Sequence, residues 1–103
     1  MNPIVREKLA HLAAICVRRD VRCLELFGSA AADTGFKPDA SDLDFLVEFG
    51  QLPHGEHANA YFGLLEDLED LFGYPVDLVM TTAIKNPYFK KAIAASRVIL
   101  YAA

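Results

Sequence analysis

The sequence predicts a small α/β fold, and three observations carry that expectation. Two stretches with helical apolar spacing, one reaching Arg18-Arg19 and one running from His57 to Phe72, alternate with short runs rich in β-formers at 21–27, 41–49 and 76–79. Turn residues mark the junctions: Gly28-Ser29, Gly50 to Gly55, then Gly73 and Pro75. A length of 103 residues with 53% hydrophobic content suits one domain, 1–103, that buries its own core.

Asn2-Pro3 reads as a helix start, because Asn can cap free N–H groups and Pro is tolerated in the first turn. Val5, Leu9, Leu12 and Cys16 then form one apolar stripe, and Arg18 and Arg19 suit the negative end of the helix dipole. In the first strand, Leu24 and Leu26 share one face while Cys23, Glu25 and Phe27 share the other. Gly28-Ser29 ends that strand and runs into Ala30-Ala31-Ala32, a short helical turn. A strand, a Gly-Ser bend and a helical turn in succession present free backbone N–H groups, a natural seat for phosphate oxygens.

Residues 33–40 carry turn formers, and the second strand follows at 41–49. Leu43, Phe45, Val47 and Phe49 alternate with Asp42, Asp44, Leu46 and Glu48, so a slip of one residue would bury every carboxylate. Strands usually exclude Asp. Asp42 and Asp44, at i and i+2, point to one face with Cα atoms roughly 6–7 Å apart, and a divalent cation is the usual remedy for such repulsion. A Mg²⁺ site is the expectation.

In the helix from His57 to Phe72, Tyr61, Leu64, Leu65, Leu68, Leu71 and Phe72 form the apolar stripe. Glu66, Asp67, Glu69 and Asp70 fall mainly opposite, which predicts a solvated face rather than a metal site. Gly73 stops this helix and Pro75 prevents its return. His54 and His57 lack a third ligand at useful spacing and predict surface positions. Asp77 then sits inside the third strand, where it completes the carboxylate set if that strand lies beside the second. Asn86-Pro87 repeats the cap-plus-Pro start of a helix through about Ser96, with Phe89 and Ile93 one turn apart, and 97–101 predicts a last strand or closing extension.

Composition narrows the function classes. A net charge of −4 gives no general pull toward nucleic acid or anionic membranes. Cys16 and Cys23 form no CxxC pair and read as buried thiols in a reducing compartment. No apolar run approaches the ~18 residues of a membrane span, and charges interrupt residues 1–19, so the expected location is the cytoplasm.

With Gly28-Ser29, Asp42-x-Asp44 and Asp77 in or beside strands, the sequence resembles the minimal nucleotidyltransferases of the DNA polymerase β superfamily. The likeness covers nearly the whole chain, including Asn86-Pro87-Tyr88-Phe89, and is most specific in the strand from Ser41 to Phe49. It implies a mixed β-sheet with helices packed against it. Gly28 and Ser29 would hold the nucleotide's phosphates, and Asp42, Asp44 and Asp77 would coordinate two Mg²⁺ ions, with Asp77 helping to deprotonate the attacking hydroxyl. The substrate implied is a nucleoside triphosphate, ATP, with AMP passed to a protein partner. Small members pair with HEPN-type ribonuclease toxins and act as antitoxins, which implies a homo- or hetero-oligomer.

One departure stands out. Family members commonly continue Gly-Ser with small residues, then Arg or Thr and Gly, whereas Ala32 and Asp33 occupy those places here. An acid near the triphosphate repels it, by as much as a few kcal/mol if desolvated. Lys37 or a partner's arginine would compensate. The alternative reading is a catalytically weak module that neutralises its partner by contact alone. A phospho-accepting receiver domain fits poorly, because receivers carry paired acids at the end of the first strand, where this chain has Gly28-Ser29.

Overall fold

Alternation along β1 (Val21–Phe27) decides which side of the sheet becomes the core. Leu24 and Leu26 are fully buried on one face, and the helices pack there. In this computed structural model, residues 3–28, 31, 43–83, 86–88, 91 and 97–103 are described. Among them β1 joins β2 (Leu43–Phe49), β3 (Val76–Met80) and β4 (Val98–Ala102) in one four-stranded sheet of order β3-β2-β1-β4. The pairs β1–β2 and β1–β4 are antiparallel, whereas β2–β3 is parallel. The sheet is therefore mixed, as expected.

The first helical stretch is interrupted. A short α1 (Pro3–Arg6) precedes α2 (Leu9–Arg18), because the chain tightens where Lys8 N–H donates to Val5 O at 3.1 Å, one residue short of helical spacing. Lys8 itself leaves the helical region, with φ −112° and ψ 16°. Val5, Leu12 and Cys16 nevertheless stay on one stripe and are fully buried, with Leu9 packed beside them. The break leaves the apolar face intact.

Between β2 and β3 the chain crosses over through α3 (His57–Phe72), as two parallel neighbouring strands require. Leu64 and Leu68 are fully buried and Phe72 nearly so, while the Phe72 ring stacks on Phe45 of β2 with centroids 5.7 Å apart. Each such buried side chain contributes about 1.5–3 kcal/mol. Tyr61 O–H donates to Leu78 O at 2.6 Å, tying the helix to β3. Gly73, left-handed at φ 70°, caps the helix by donating its N–H to Glu69 O, where the sequence placed the stop.

Two sequence expectations need correction. Arg18 and Arg19 do more than complement a helix dipole, and Asp67 is not simply solvated: Arg19 Nε donates to Asp67 Oδ2 at 2.7 Å and Arg18 Nη2 to the same oxygen at 3.2 Å. Gly63, one turn before Asp67, makes room for this clamp. A Cβ there would lie 2.7 Å from Arg19 Cζ, so a larger residue would push the end of the guanidinium aside. Cys16 is buried, whereas Cys23 is half-buried.

Other expectations match in place. The third strand extends one residue further, to Met80. Phe49 is half-buried against the core rather than enclosed. The last segment pairs as β4 along the outer edge of β1. Tyr88 N–H donates to Asn86 Oδ1 at 2.9 Å, the capping contact expected of Asn86-Pro87. Apart from Lys91, the remainder of the helix expected through Ser96, with Phe89 and Ile93, lies outside the described residues, as do Ala30, Ala32, Asp33 and Lys37.

Candidate active site

Because Leu43, Phe45 and Val47 turn toward the helices, the residues between them face the other side of the sheet. Asp44 is the first described residue of that set, at the end of β2 nearest the close of β1. The parallel register of β2 and β3 pairs Leu43 with Val76, Asp44 with Asp77 and Phe45 with Leu78. The strands expected side by side are neighbours, and Asp44 and Asp77 are level, one strand spacing of about 4.8 Å apart at the backbone. Asp44 is half-buried and Asp77 exposed.

Antiparallel pairing puts Phe27 level with Asp44 on the other side, and the chain then turns at Gly28. Gly28 adopts φ 75°, which side chains with a Cβ rarely tolerate. Its missing side chain matters as well. A Cβ at this position would collide with Asp44 Oδ2, so the carboxylate lies directly against the Gly28 backbone. Sequence reasoning grouped Gly28, Asp44 and Asp77, and the fold brings these three together. Ser29 and Asp42, the other members of that group, lie outside the described residues.

Carboxylate oxygens are hard donors suited to Mg²⁺, and two on neighbouring strands at one level form part of such a donor set. Among the described residues, no group of three or more His, Cys, Asp or Glu is placed to hold a metal ion. Asp44 and Asp77 are two of the three carboxylates that the sequence reading expected at the cation, and Asp42, the third, lies outside the described residues. His54 and His57 are exposed.

The same face carries features that sequence reasoning passed over. Phe27 and Leu46 are buried against each other, with Val79 packed beside them, so this side of the sheet is partly apolar. Glu25 is only 4% exposed. Its Oε2 accepts a 2.6 Å hydrogen bond from Arg97 Nη2. A glutamate among Leu24, Leu26 and Phe27 was the available signal, of the same kind that singled out Asp42 and Asp44.

Comparison with known proteins gives the family. Residues 9–100 match the model of the nucleotidyltransferase domain family. MJ0128 of Methanocaldococcus jannaschii is 44% identical over 73 residues, covering 71% of this chain and 69% of that protein. The protein adenylyltransferase MntA of Thermococcus cleftensis is 34% identical over 84 residues, covering 82% and 80%. A solved minimal nucleotidyltransferase structure superposes with a TM-score of 0.72 at 27% identity over 95% of each chain. A chain from the complex of a tri-AMPylated Shewanella oneidensis HEPN toxin with its MNT antitoxin gives 0.63 at 16% identity, over 96% of this chain and 73% of that one, a likeness of fold. With a mixed sheet of the right topology, aspartates level on adjacent strands and a family match across nearly its whole length, this chain belongs to the nucleotidyltransferase domain family.

Proposed function

We propose that this protein is a Mg²⁺-dependent nucleotidyltransferase that passes AMP from ATP to a hydroxyl of a protein partner, and that the partner is a HEPN-type toxin silenced by the transfer. The carrying observation is the register that sets Asp77 level with Asp44, with the Asp44 carboxylate against Gly28. The name of the Thermococcus relative supports AMP as the transferred group, and the AMPylated toxin complex supports the choice of partner.

Asp42, Asp44 and Asp77 would hold the cation, and the backbone around Gly28 and Ser29 would bind the phosphates. When bound, Mg²⁺ neutralises charge that develops on the phosphate oxygens during transfer. Asp77, the more exposed of the two described carboxylates, takes the proton from the incoming hydroxyl. That oxygen bonds to the α-phosphorus as the bond to the bridging oxygen of the β-phosphate breaks, and pyrophosphate leaves. Asp44, held against Gly28, fixes where the phosphates lie relative to the end of β1.

Incubation with labelled ATP, Mg²⁺ and the product of the neighbouring gene tests this reading. Label on the partner is expected from wild type and absent with Asp42→Ala/Asp44→Ala; no transfer by wild type overturns it. A second reading, neutralisation by contact alone, draws on exposed apolar side chains at Val17, Phe62, Tyr88 and Ile99. On that reading the double variant still protects cells from the toxin.

A further inference from the structure

We propose that Arg97 is a triphosphate-binding residue, held in place for that task by Glu25. The inference rests on the nucleotidyl-transfer reading above and adds to it a cationic group on the far flank of the phosphate seat.

The placement follows from register. Leu26 pairs with Val98, so Arg97, one residue earlier in an antiparallel strand, stands level with Phe27. Phe27 in turn pairs with Asp44, and Asp44 with Asp77. Across the sheet at this level the order is therefore Asp77, Asp44, Phe27, Arg97, with Gly28 turning away from the central strand between the carboxylates and the arginine. Arg97 lies on the carboxylate face, because it bonds Glu25, which shares that face with Phe27. A triphosphate lying over the Gly28 turn has the carboxylates and their cation on one side and the guanidinium on the other. Backbone separation between Asp44 and Arg97 is two strand spacings, about 10 Å.

The chemistry of the pair fits this use. Glu25 is 5% exposed at its side chain and Arg97 is 45% exposed. A buried carboxylate thus anchors a guanidinium that still reaches solvent, two residues along β1 from the level of Phe27 and Asp44. The planar fork of arginine can keep one N–H on Glu25 while others engage phosphate oxygens, which a purely structural ion pair would not require. Glu25 is the positioning residue and Arg97 the ligand-contacting one.

Calorimetric titration of a non-hydrolysable ATP analogue with Mg²⁺, and separately of AMP, tests the assignment without relying on transfer. Removing Arg97 alone strands a buried carboxylate, so the informative variant is Glu25→Gln/Arg97→Gln, with thermal melting to verify folding and Arg97→Lys as the charge-conserving control. The expected result is triphosphate binding weakened at least tenfold in the double variant, AMP binding within twofold of wild type, and partial recovery in Arg97→Lys. Triphosphate affinity within twofold of wild type in the folded double variant overturns the Arg97 assignment and leaves the transferase reading intact. Equal weakening for AMP and triphosphate also overturns it, since the pair would then be structural. A wild-type protein that binds no triphosphate overturns both.

Discussion

Asp44 and Asp77 stand opposite one another in the parallel β2–β3 pair, although they lie on either side of the whole crossover helix in sequence. Like charges opposed across a sheet are destabilising by roughly 0.2–1 kcal/mol. Mg²⁺ should therefore raise the melting temperature of the wild type, because a ligand that binds only the folded state stabilises it by mass action. In Asp44→Asn or Asp77→Asn the metal-free protein should be as stable as wild type or slightly more so, with most of the Mg²⁺ response lost. Melting curves with and without Mg²⁺ check both halves; an unchanged response in Asp77→Asn would remove that residue from the metal set.

Gly28→Ala should be among the most damaging single-atom-scale changes in the chain. It combines a strained positive φ, worth about 1–3 kcal/mol, with a collision against the Asp44 carboxylate. Denaturant unfolding should show the stability loss, and transfer should fall more steeply than stability alone explains. Activity close to wild type in a folded Gly28→Ala protein would dissociate the turn from the site.

The clamp of Arg19 over Gly63 onto Asp67 gives a prediction with a pH signature. Arg19, the first cause, and Arg18 hold the Asp67 carboxyl below its ordinary 3.8 through hydrogen bonds and charge. A folded value depressed below the unfolded one means the stabilisation is present above about pH 4 and is lost as pH falls through the folded value. Asp67→Asn should cost about 1–2 kcal/mol at neutral pH and flatten the acid limb of stability. Gly63→Ala should cost less than Asp67→Asn, because the end of the arginine side chain can shift and the better helix propensity of alanine offsets part of the loss. Urea unfolding at pH 7 and pH 3 would measure both.

The thiols should react unequally. Burial, chiefly, pushes the Cys16 thiol up from 9.0 to about 12, and burial also raises Cys23, with Glu25 and Glu48 adding to it. At pH 8 a group titrating at 12 is thiolate in roughly one molecule in ten thousand. A thiol reagent should therefore modify Cys23 first and reach Cys16 only on unfolding, as Cys16→Ser and Cys23→Ser variants would show. Because the folded value lies above the unfolded one, Cys16 favours the fold below about pH 9, and that advantage fades as pH rises toward 12.

Legibility in the sequence followed the range of the interaction. The bounds of β1 and α3, and the face each residue of β2 presents, could be read from windows of a few residues, because apolar spacing and turn chemistry act locally. The interruption at Glu7-Lys8 could not: Val5, Leu9, Leu12 and Cys16 keep one helical stripe across it, so periodicity alone does not register the break. Of the site, Gly28, Asp44 and Asp77 were visible as residues that break the composition rules of their own strands. Glu25 broke the same rule, but its partner Arg97 lies 72 positions away, outside any local window.

By itself the sequence determined the helical stripes, the caps at Gly73 and Asn86, and the alternation that turns Asp44 away from the core, since backbone geometry enforces these within each segment. Tertiary structure alone decided that β3 lies parallel to β2 with Asp77 level with Asp44, and that Arg97 reaches Glu25 across 72 positions of sequence. The physical reason is that strand order and register depend on how Leu43, Phe45 and Leu78 pack together against α2 and α3, a balance over the whole core that no local window contains.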